Sequence, residues 1–283
     1  MRKIKKIHQA VNSPIDDLIT YRAIPTQSID YLDPFLFLNH HGPQVYPANN
    51  KGLPFGPHPH RGFETLTYVI KGDIAHQDSG GGESVITEGG VQWMTAGSGL
   101  IHSEVSSDNF KKNGGEEEVL QLWMNLSSKH KMVKPNYVGL NYEDIPHISV
   151  ADGKGFVDLI SGNWGAHHGP INSLSNLTMM SMRLEAYAHL TIEIPDGNEV
   201  FFYVVKGKLT VNESLVEWRQ LVQFEKADGD ISIQTQSETY ILFGYGKPFN
   251  EPMLAQGPFV MNTEQEIMEA YQDFRAGKMG SWR

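Results

Sequence analysis

Residues 58–72 read HPHRGFETLTYVIKG, two histidines followed by a run of β-branched and aromatic residues and a lysine–glycine turn. This composition predicts a β-strand that ends in a hairpin. Side chains two positions apart in a strand point to the same face, so His58 and His60 lie side by side. The stretch therefore predicts a strand that presents two imidazoles together.

A second pair of candidate ligands follows about forty residues later, in His102-Ser103-Glu104. The same parity places His102 and Glu104 on one face. Two neighbouring strands could then close three imidazoles and one carboxylate around an ion, a donor set that suits a divalent transition metal better than magnesium or calcium. An ion that prefers six ligands would keep two positions for water, dioxygen or substrate. The alternative is that both pairs are hydrogen-bonded histidines at ordinary hairpin corners.

The composition narrows the function classes. The chain has 283 residues, 40% of them hydrophobic and 20% charged, which indicates a soluble globular protein. Its net charge of −10 disfavours direct binding to nucleic acid, and the absence of cysteine excludes disulfides and thiolate chemistry. No segment approaches the ~20 apolar residues of a membrane span, and the basic N-terminus lacks the apolar run of a signal peptide. A cytoplasmic location without membrane attachment is expected.

The rest of the chain is predicted to be mostly β with one helix near its C-terminus. Thr263-Glu264-Gln265-Glu266 has the form of a capping box, and Gly277 can end the helix that it begins. Ile267, Tyr271 and Phe274 would share one face of that helix. The predicted strands are Glu64–Ile70, Ser84–Thr87, Val119–Asn125, Thr178–Leu184, Glu199–Val205 and Thr239–Phe243.

An internal repeat divides the chain near its middle. The segment TYVIKG at 67–72 is echoed by FYVVKG at 202–207, an offset of 135 residues (207 − 72). Such a duplication predicts two β-domains of similar topology, residues 1–137 and residues 138–283, the second ending in the helix.

The same offset predicts that only the first domain binds metal. His58 corresponds to Glu193 and His60 to Pro195, while His102 and Glu104 fall on Ser237 and Thr239. The second domain would then have a structural or partner-binding role. His167-His168, in a glycine-rich segment, are expected to be exposed or to lie between the domains.

Four segments together resemble the pirin family over nearly the whole chain: DPFLFL at 33–38, HPHRGFETLTYVIKG at 58–72, VQWMTAGSGLIHSE at 91–104 and GPFVMNTEQEI at 257–267. The resemblance implies an all-β bicupin, with two antiparallel β-barrels of jelly-roll type placed face to face. It also implies metal in the N-terminal barrel alone, usually iron(II), although copper, manganese, nickel, cobalt and zinc stay open.

The family's metal ligands fall on His58, His60, His102 and Glu104, in agreement with strand parity. Many cupins instead take their carboxylate from the glutamate that follows the histidine pair, here Glu64. Glu64 has the same parity as His58 and His60, so parity does not decide between the two carboxylates. The pirin pattern favours Glu104.

The resemblance also implies two function hypotheses. Members of the family resemble quercetinases, which open a flavonol ring with dioxygen; Glu104 would then accept the flavonol hydroxyl proton, as base as well as ligand. Pirins also resemble non-enzymatic iron-binding coregulators that act through protein partners. A purely structural metal is a third hypothesis, but structural sites are normally closed by protein ligands.

Overall fold

The computed structural model describes residues 1–282, and most of their regular structure is β-strand. The strands are β1 (Ile4–Gln9), β2 (Val11–Asn12), β3 (Thr20–Ile24), β4 (Phe35–Tyr46), β5 (Phe55–His60), β6 (Phe63–Lys71), β7 (Asp73–Asp78), β8 (Glu83–Thr87), β9 (Val91–Thr95), β10 (Leu100–Val105), β11 (Gly115–Asn125), β12 (Asn136–Leu140), β13 (His147–Val150), β14 (Gly155–Ser161), β15 (Asn163–Trp164), β16 (His167–His168), β17 (Thr178–Leu184), β18 (His189–Ile192), β19 (Glu199–Lys206), β20 (Lys208–Val211), β21 (Ser214–Glu217), β22 (Gln220–Phe224), β23 (Ile231–Thr235), β24 (Thr239–Gly246), β25 (Leu254–Gln256) and β26 (Phe259–Met261). The α-helices within the described residues are α1 (Asp108–Asn113) and α2 (Glu264–Arg275). The predicted all-β class with a helix near the C-terminus is confirmed.

Two compact units divide the chain, and each combines segments that are distant in sequence. We call residues 12–21, 37–143 and the described residues from 249 onward the histidine unit, and residues 1–11, 22–36 and 144–248 the second unit. The sequence predicted two continuous domains that meet at residue 137, and that boundary stays a prediction. The observed units differ from the predicted domains at both ends of the chain. The N-terminal strand β1 pairs with β22 of the second unit, and β26, near the C-terminus, bonds to Arg61 of the histidine unit.

The same topology occurs in both units. In the histidine unit, four strands of the larger sheet follow the order β9-β6-β11-β4, and the smaller sheet has the order β5-β10-β7-β8. In the second unit the corresponding orders are β22-β19-β24-β17 and β18-β23-β20-β21. Eight consecutive strands, β4 to β11, therefore match β17 to β24 one by one. The duplication predicted from the TYVIKG repeat is confirmed as a repeat of topology.

Each unit buries apolar side chains between its two sheets. In the second unit, Met180 and Val204 of the larger sheet pack with Val211 and Ile233 of the smaller sheet, all of them buried. In the histidine unit, Val69 and Val119 of the larger sheet pack with Ile74 and Ile86 of the smaller one. This packing follows from strand alternation, which turns every second side chain inward.

The C-terminal helix begins where the sequence predicts. Thr263 is its N-cap, and the reciprocal bonds between Thr263 and Glu266 complete the capping box. Gly277, two residues after the helix, has a φ of +73°, a value that favours glycine. Ile267 is buried, but Ala270 is the other buried helix residue and Phe274 is 37% exposed, so the buried face is narrower than expected. Across residues 1–282, no helix has both the length and the apolar character needed to cross a membrane.

Candidate metal centre

The candidate ligands lie on two adjacent strands of the smaller sheet in the histidine unit. Strands β5 and β10 pair in antiparallel fashion, with His102 opposite His58 and Leu100 opposite His60. The register then shifts, so that Glu104 faces Phe55. The pairing brings the two predicted i, i+2 pairs to the same part of the sheet, which is the arrangement that strand parity predicted.

The three histidines converge through their Nε2 atoms. His58 Nε2 lies 3.1 Å from His60 Nε2 and 3.0 Å from His102 Nε2. The three residues offer one ligand atom each within a mutual distance of 4.8 Å. Within the described part of the chain, they form the one group of three or more potential ligands that meets this distance.

Backbone carbonyls set the tautomers of two of the rings. His58 Nδ1 lies 2.7 Å from the carbonyl oxygen of Gly56, and His60 Nδ1 lies 3.3 Å from that of Pro258. A carbonyl oxygen can only accept, so each Nδ1 carries the proton and donates it. The neutral rings then turn unprotonated Nε2 atoms toward each other, and two lone pairs at this distance repel unless a cation lies between them. The three histidines therefore fit a divalent metal ion.

Burial keeps two of the imidazoles neutral, which is the form that binds metal. His60 and His102 are 3% and 1% exposed. Burial, together with the neighbouring His58, lowers the pKa of His60 to about 3. Burial, with His60, His58 and His76 nearby, lowers the pKa of His102 well below its usual value. His58 is only partly buried, so it is the most exposed of the three histidines.

The carboxylate at this centre is held by two side chains of the larger sheet. Glu104 is 2% exposed, and Thr67 Oγ1 donates to its Oε1 at 2.6 Å. Gln121 Nε2 donates to the other carboxylate oxygen at 2.5 Å. The close group of potential ligands consists of the three histidines and does not include Glu104, so its role as fourth ligand stays a prediction.

The alternative carboxylate, Glu64, is engaged elsewhere. Its Oε1 accepts hydrogen bonds from Trp93 Nε1 at 3.0 Å and from Thr95 Oγ1 at 2.8 Å. Glu64 is also outside the histidine group. Glu64 and Glu104 are therefore both buried acceptors, and they differ in which donors orient them.

Aromatic side chains border one side of the histidines. Trp123 stacks on Phe37 with ring centroids 4.6 Å apart, and it contacts Phe63 at 4.5 Å. The ring of His60 meets Trp123 edge-on at 5.1 Å. The indole N–H of Trp123 is buried and has no hydrogen-bond partner among the described residues. Sequence reasoning missed Trp123, which lies on β11 two residues after Gln121.

The C-terminal segment also contributes to this centre. Pro258 orients His60, and two residues later the N–H of Val260 donates to the carbonyl of Arg61 at 3.0 Å. The Arg61 guanidinium donates to the carbonyl of Ser98 at 2.8 Å and to Asp273 of α2 at 2.9 Å. These bonds connect the residue that follows the histidine pair to the end of the chain.

A buried lysine makes a second connection to the same segment. Lys131 Nζ donates to Asn125 Oδ1 at 2.6 Å and to the carbonyls of Gly62 and Val260 at 2.8 and 2.9 Å. Lys131 is 1% exposed, and burial lowers its pKa to about 8. Three acceptors match the three donors of an ammonium group, so its position is well defined.

His76, on β7, is a further buried residue next to the centre that sequence reasoning missed. It lies opposite Glu104 in the sheet, and its Nε2 is 2.9 Å from Asp78 Oδ2. Its ring stacks on Tyr137 with centroids 3.8 Å apart and planes 5° apart. Burial raises the pKa of Tyr137, and the charge of Glu104 adds to this effect. His76, Asp78 and Tyr137 thus form a packed wall beside Glu104.

The second unit replaces the paired histidines by buried isoleucines. Ile233 lies opposite Val211 on β20 as Glu104 lies opposite His76 on β7, so Ile231 stands at the position of His102. Ile231 in turn faces Ile192, as His102 faces His58, and both isoleucines are buried. The fixed offset of 135 residues assigned Ser237 to the position of His102, which is wrong. The connections between strands differ in length in the two units, and Ser237 precedes β24 instead of lying on β23.

Comparisons with known proteins agree with this architecture. The family model described as Pirin matches residues 17–124, and the Pirin C-terminal cupin domain matches residues 179–280. A candidate quercetin 2,3-dioxygenase of Pseudomonas aeruginosa is 36% identical over 94% of this chain and 91% of its own length.

Solved structures give the same result. Quercetin 2,3-dioxygenase from Acinetobacter baumannii is 34% identical, with a TM-score of 0.92 over 99% of both chains. A bacterial pirin from Escherichia coli, solved with nickel(II), is 21% identical and shares the fold, with a TM-score of 0.68 over 86% of this chain and 99% of its own. With two repeated cupin units, a histidine cluster in one of them and matches over most of its length, the chain belongs to the pirin family of bicupin proteins.

Proposed function

We propose that this protein is a metal-dependent dioxygenase of the quercetin 2,3-dioxygenase type, with a flavonol or a similar small aromatic molecule as substrate. The observation that supports it most is the convergence of three histidine Nε2 atoms at a site where His58 is only partly buried. A closed structural site would surround the ion with protein ligands. The names of the Pseudomonas aeruginosa and Acinetobacter baumannii relatives support the substrate class.

In this proposal His58, His60, His102 and Glu104 hold one divalent transition metal, with iron(II) as the first candidate. When bound, such an ion supplies a Lewis acid for the flavonol oxygens and promotes their reaction with dioxygen. The chain keeps two of the imidazoles neutral. Burial lowers the pKa values of His60 and His102, so protons do not compete with the ion at these two residues at neutral pH.

Glu104 is the proposed base. The flavonol hydroxyl must lose its proton to bind as an anion, and a carboxylate beside the metal can accept it. Thr67 and Gln121 each donate one hydrogen bond to a different oxygen of Glu104. These two bonds fix the orientation of the carboxylate and leave each oxygen a further lone pair, one of which can take the proton.

The aromatic side chains beside His60 support a flat substrate. Phe37, Phe63 and Trp123 form a stacked group in contact with the His60 ring. Aromatic rings in offset or edge-to-face contact stabilise a planar ligand by about 0.5–1.5 kcal/mol per pair beyond burial of its surface. The same rings exclude water from one side of the metal ligands.

The test is anaerobic reconstitution with iron(II), followed by measurement of oxygen uptake and carbon monoxide release with a panel of flavonols. We expect turnover with at least one flavonol and none without metal. Parallel loading with copper, manganese, nickel, cobalt and zinc identifies the ion that supports the reaction. If the fully metal-loaded protein consumes no oxygen with any flavonol, the proposal is wrong.

That negative result would favour the second candidate function, an iron-binding coregulator that acts through protein partners in the cytoplasm. The observation in its favour is the net charge of −10, which suits recruitment through a protein and not direct contact with DNA. An affinity experiment with iron-loaded and iron-free protein would then show partners that depend on the metal.

A further inference from the structure

Lys131 carries a buried charge that the proposed reaction does not use. Its side chain is 1% exposed, and its three hydrogen-bond acceptors, Asn125 Oδ1 and the backbone carbonyls of Gly62 and Val260, are all neutral. Burial of a charge costs free energy that a neutral side chain of the same length would avoid. A charged donor, however, makes stronger hydrogen bonds than a neutral one. Lys131 therefore holds these three acceptors more firmly than a neutral residue could.

Two of the acceptors belong to backbone segments on either side of a candidate metal ligand. Gly62 lies two residues after His60, and Val260 lies two residues after Pro258, whose carbonyl is 3.3 Å from His60 Nδ1. The bonds from Lys131 to these carbonyls span 69 and 129 positions of the sequence. Lys131 thus ties the segment that carries His60 to the segment that orients it.

The two segments lie in direct backbone contact. The N–H of Arg61 donates to the carbonyl of Pro258 at 3.4 Å, and the N–H of Val260 donates to the carbonyl of Arg61 at 3.0 Å. Gly62 has a φ of +89°, and a side chain at this position would collide with the carbonyl oxygen of Val260. That oxygen is the one that accepts a hydrogen bond from Lys131. The contact therefore depends on both the glycine and the lysine.

We propose that Lys131 is a positioning residue for the metal centre, which keeps the Pro258 carbonyl against His60 by holding Gly62 and Val260 together. The carbonyl fixes the tautomer and the orientation in which His60 presents its Nε2 atom. Lys131 acts through the backbone and touches neither a metal ligand nor substrate. The inference rests on His60 being a metal ligand, as in the proposed function.

The first test measures metal affinity in Lys131→Met, which keeps the length of the side chain and removes its three hydrogen bonds. Competition with a chromophoric chelator gives the affinity for zinc(II), an ion that does not react with dioxygen. We expect a loss of about tenfold, the lower end of the range for partners of metal-binding histidines. Ile86→Ala is the matched control, because it opens a cavity in the core of the same unit and should leave zinc affinity unchanged.

The second test uses the parent protein, so it holds even where Lys131→Met does not fold. Burial lowers the pKa of Lys131 to about 8, although the charges of Glu251 and Glu266 raise it. Above this pH the neutral amine has one N–H fewer, so one of its three acceptors loses its donor. Zinc affinity, corrected for the pH dependence of the chelator, should therefore fall by about threefold from pH 7 to pH 9. Proton competition at the histidines has the opposite sign, because it makes metal affinity rise with pH.

Three outcomes would overturn the proposal. The first is a folded Lys131→Met variant with the zinc affinity of the parent, and the second is an equal loss of affinity in Lys131→Met and Ile86→Ala. The third is a zinc affinity of the parent that stays constant or rises from pH 7 to pH 9. Neither test involves a flavonol or dioxygen, so a failure of the proposed dioxygenase activity is distinguishable from a failure of this inference.

Discussion

The histidine unit and the second unit have eight strands in the same order but differ at two register positions of the smaller sheet. His58 and His102 occupy these positions in one unit, and the buried Ile192 and Ile231 occupy them in the other. The fold thus provides the same position twice, and the side chains at it determine whether it can hold a ligand. A transition metal matches three imidazole nitrogens, whereas the isoleucines are part of the apolar core of the second unit.

A second difference concerns the residues at the position of His60 in each unit. In the histidine unit, the carbonyl of Pro258 orients His60, which is 3% exposed. In the second unit, the corresponding residue is Ile194, which is 5% exposed and packs in the core of that unit. The metal centre therefore depends on a residue far along the sequence, whereas the second unit fills the same position with its own apolar core.

The largest expected effect is on metal content. His60→Ala should reduce metal from about one ion per chain to near zero and abolish oxygen uptake with it, because the three remaining groups hold an ion poorly. Metal analysis of the purified variants after loading with iron(II) measures this. His189→Ala is the matched control, since His189 is an exposed histidine on β18, the counterpart of β5.

Metal analysis of the parent protein also tests whether the two units differ in metal binding. About one ion per chain is expected for the parent protein, because the second unit lacks the histidines. A reproducible value near two would mean that the second unit also holds a metal and that the repeat has been misread, and a His60→Ala variant with full metal content would show that His60 is not a ligand.

The next effect concerns the two buried carboxylates of the histidine unit. Glu104→Gln has nearly the same shape and can still offer an oxygen, but it cannot take up a proton. Turnover should fall by roughly 10²–10⁴, the usual range for a positioned acid–base group, with partial retention of metal. Oxygen uptake at saturating flavonol, corrected for metal content, measures the loss.

Glu64→Gln tests which of the two buried carboxylates, Glu64 or Glu104, acts as the base. Glu64 accepts hydrogen bonds from Trp93 and Thr95, and an amide oxygen can still accept them. We expect a smaller loss of turnover per bound metal than in Glu104→Gln. The reverse order would identify Glu64 as the base, and unchanged turnover in Glu104→Gln would remove Glu104 from the mechanism.

Strand parity and local motifs predicted much of the fold and of the centre. The i, i+2 pairs place the histidines correctly because alternation is a local property of any strand. The capping box at Thr263 and Glu266 predicts the start of α2 for the same reason. A local pattern could not indicate that Pro258 orients His60, since 198 positions separate them and the bond uses a backbone carbonyl that any residue has.

The fixed repeat offset failed for a related reason. It holds along β19 and β20, the counterparts of β6 and β7, and it fails at β23, because the segments between β20 and β23 are shorter than those between β7 and β10. Register, which brings Ile231 opposite Ile192, follows from backbone pairing and becomes visible only in the folded chain.

A smaller effect is expected on stability. Burial, with Asp73 nearby, raises the pKa of Glu117 in the histidine unit to about 9. Between the pKa of the unfolded chain, near 4.5, and this value, the folded protein keeps a proton that the unfolded chain releases. The free energy of unfolding therefore falls as pH rises through this window, which is the sign for an acid with a raised pKa.

Glu117→Gln should remove this pH dependence. At pH 8 we expect the variant to be more stable than the parent by on the order of 1–3 kcal/mol, and below pH 4.5 the difference should vanish. Urea unfolding at several pH values measures it. Glu116→Gln, which changes an exposed neighbour on the same strand, should have no such effect. If the free energy of unfolding depends on pH equally in the parent and in Glu117→Gln, Glu117 is not a buried neutral carboxyl.

The smallest effect concerns the connection between the centre and the end of the chain. Arg61, which is 4% exposed, donates to Asp273 at 2.9 Å, and Lys278 donates to the other oxygen of the same carboxylate at 2.7 Å. Asp273→Asn removes the charge of the carboxylate on α2 that binds Arg61, the residue next to His60. The hydrogen bond from Arg61 to the carbonyl of Ser98 remains. Metal affinity should fall by about threefold to tenfold, below the roughly 10–100-fold loss typical of direct partners of metal ligands.

Lys278→Gln is the matched control for this last prediction. It removes the exposed lysine from Asp273 and keeps the bond to Arg61, so metal affinity should not change. Competition with a chelator measures both variants under the same conditions. If Asp273→Asn and Lys278→Gln lose affinity equally, general loosening of α2 is the cause. If neither does, the C-terminal segment acts on the centre through Pro258 alone, and the contrast with the second unit is smaller than the structure indicates.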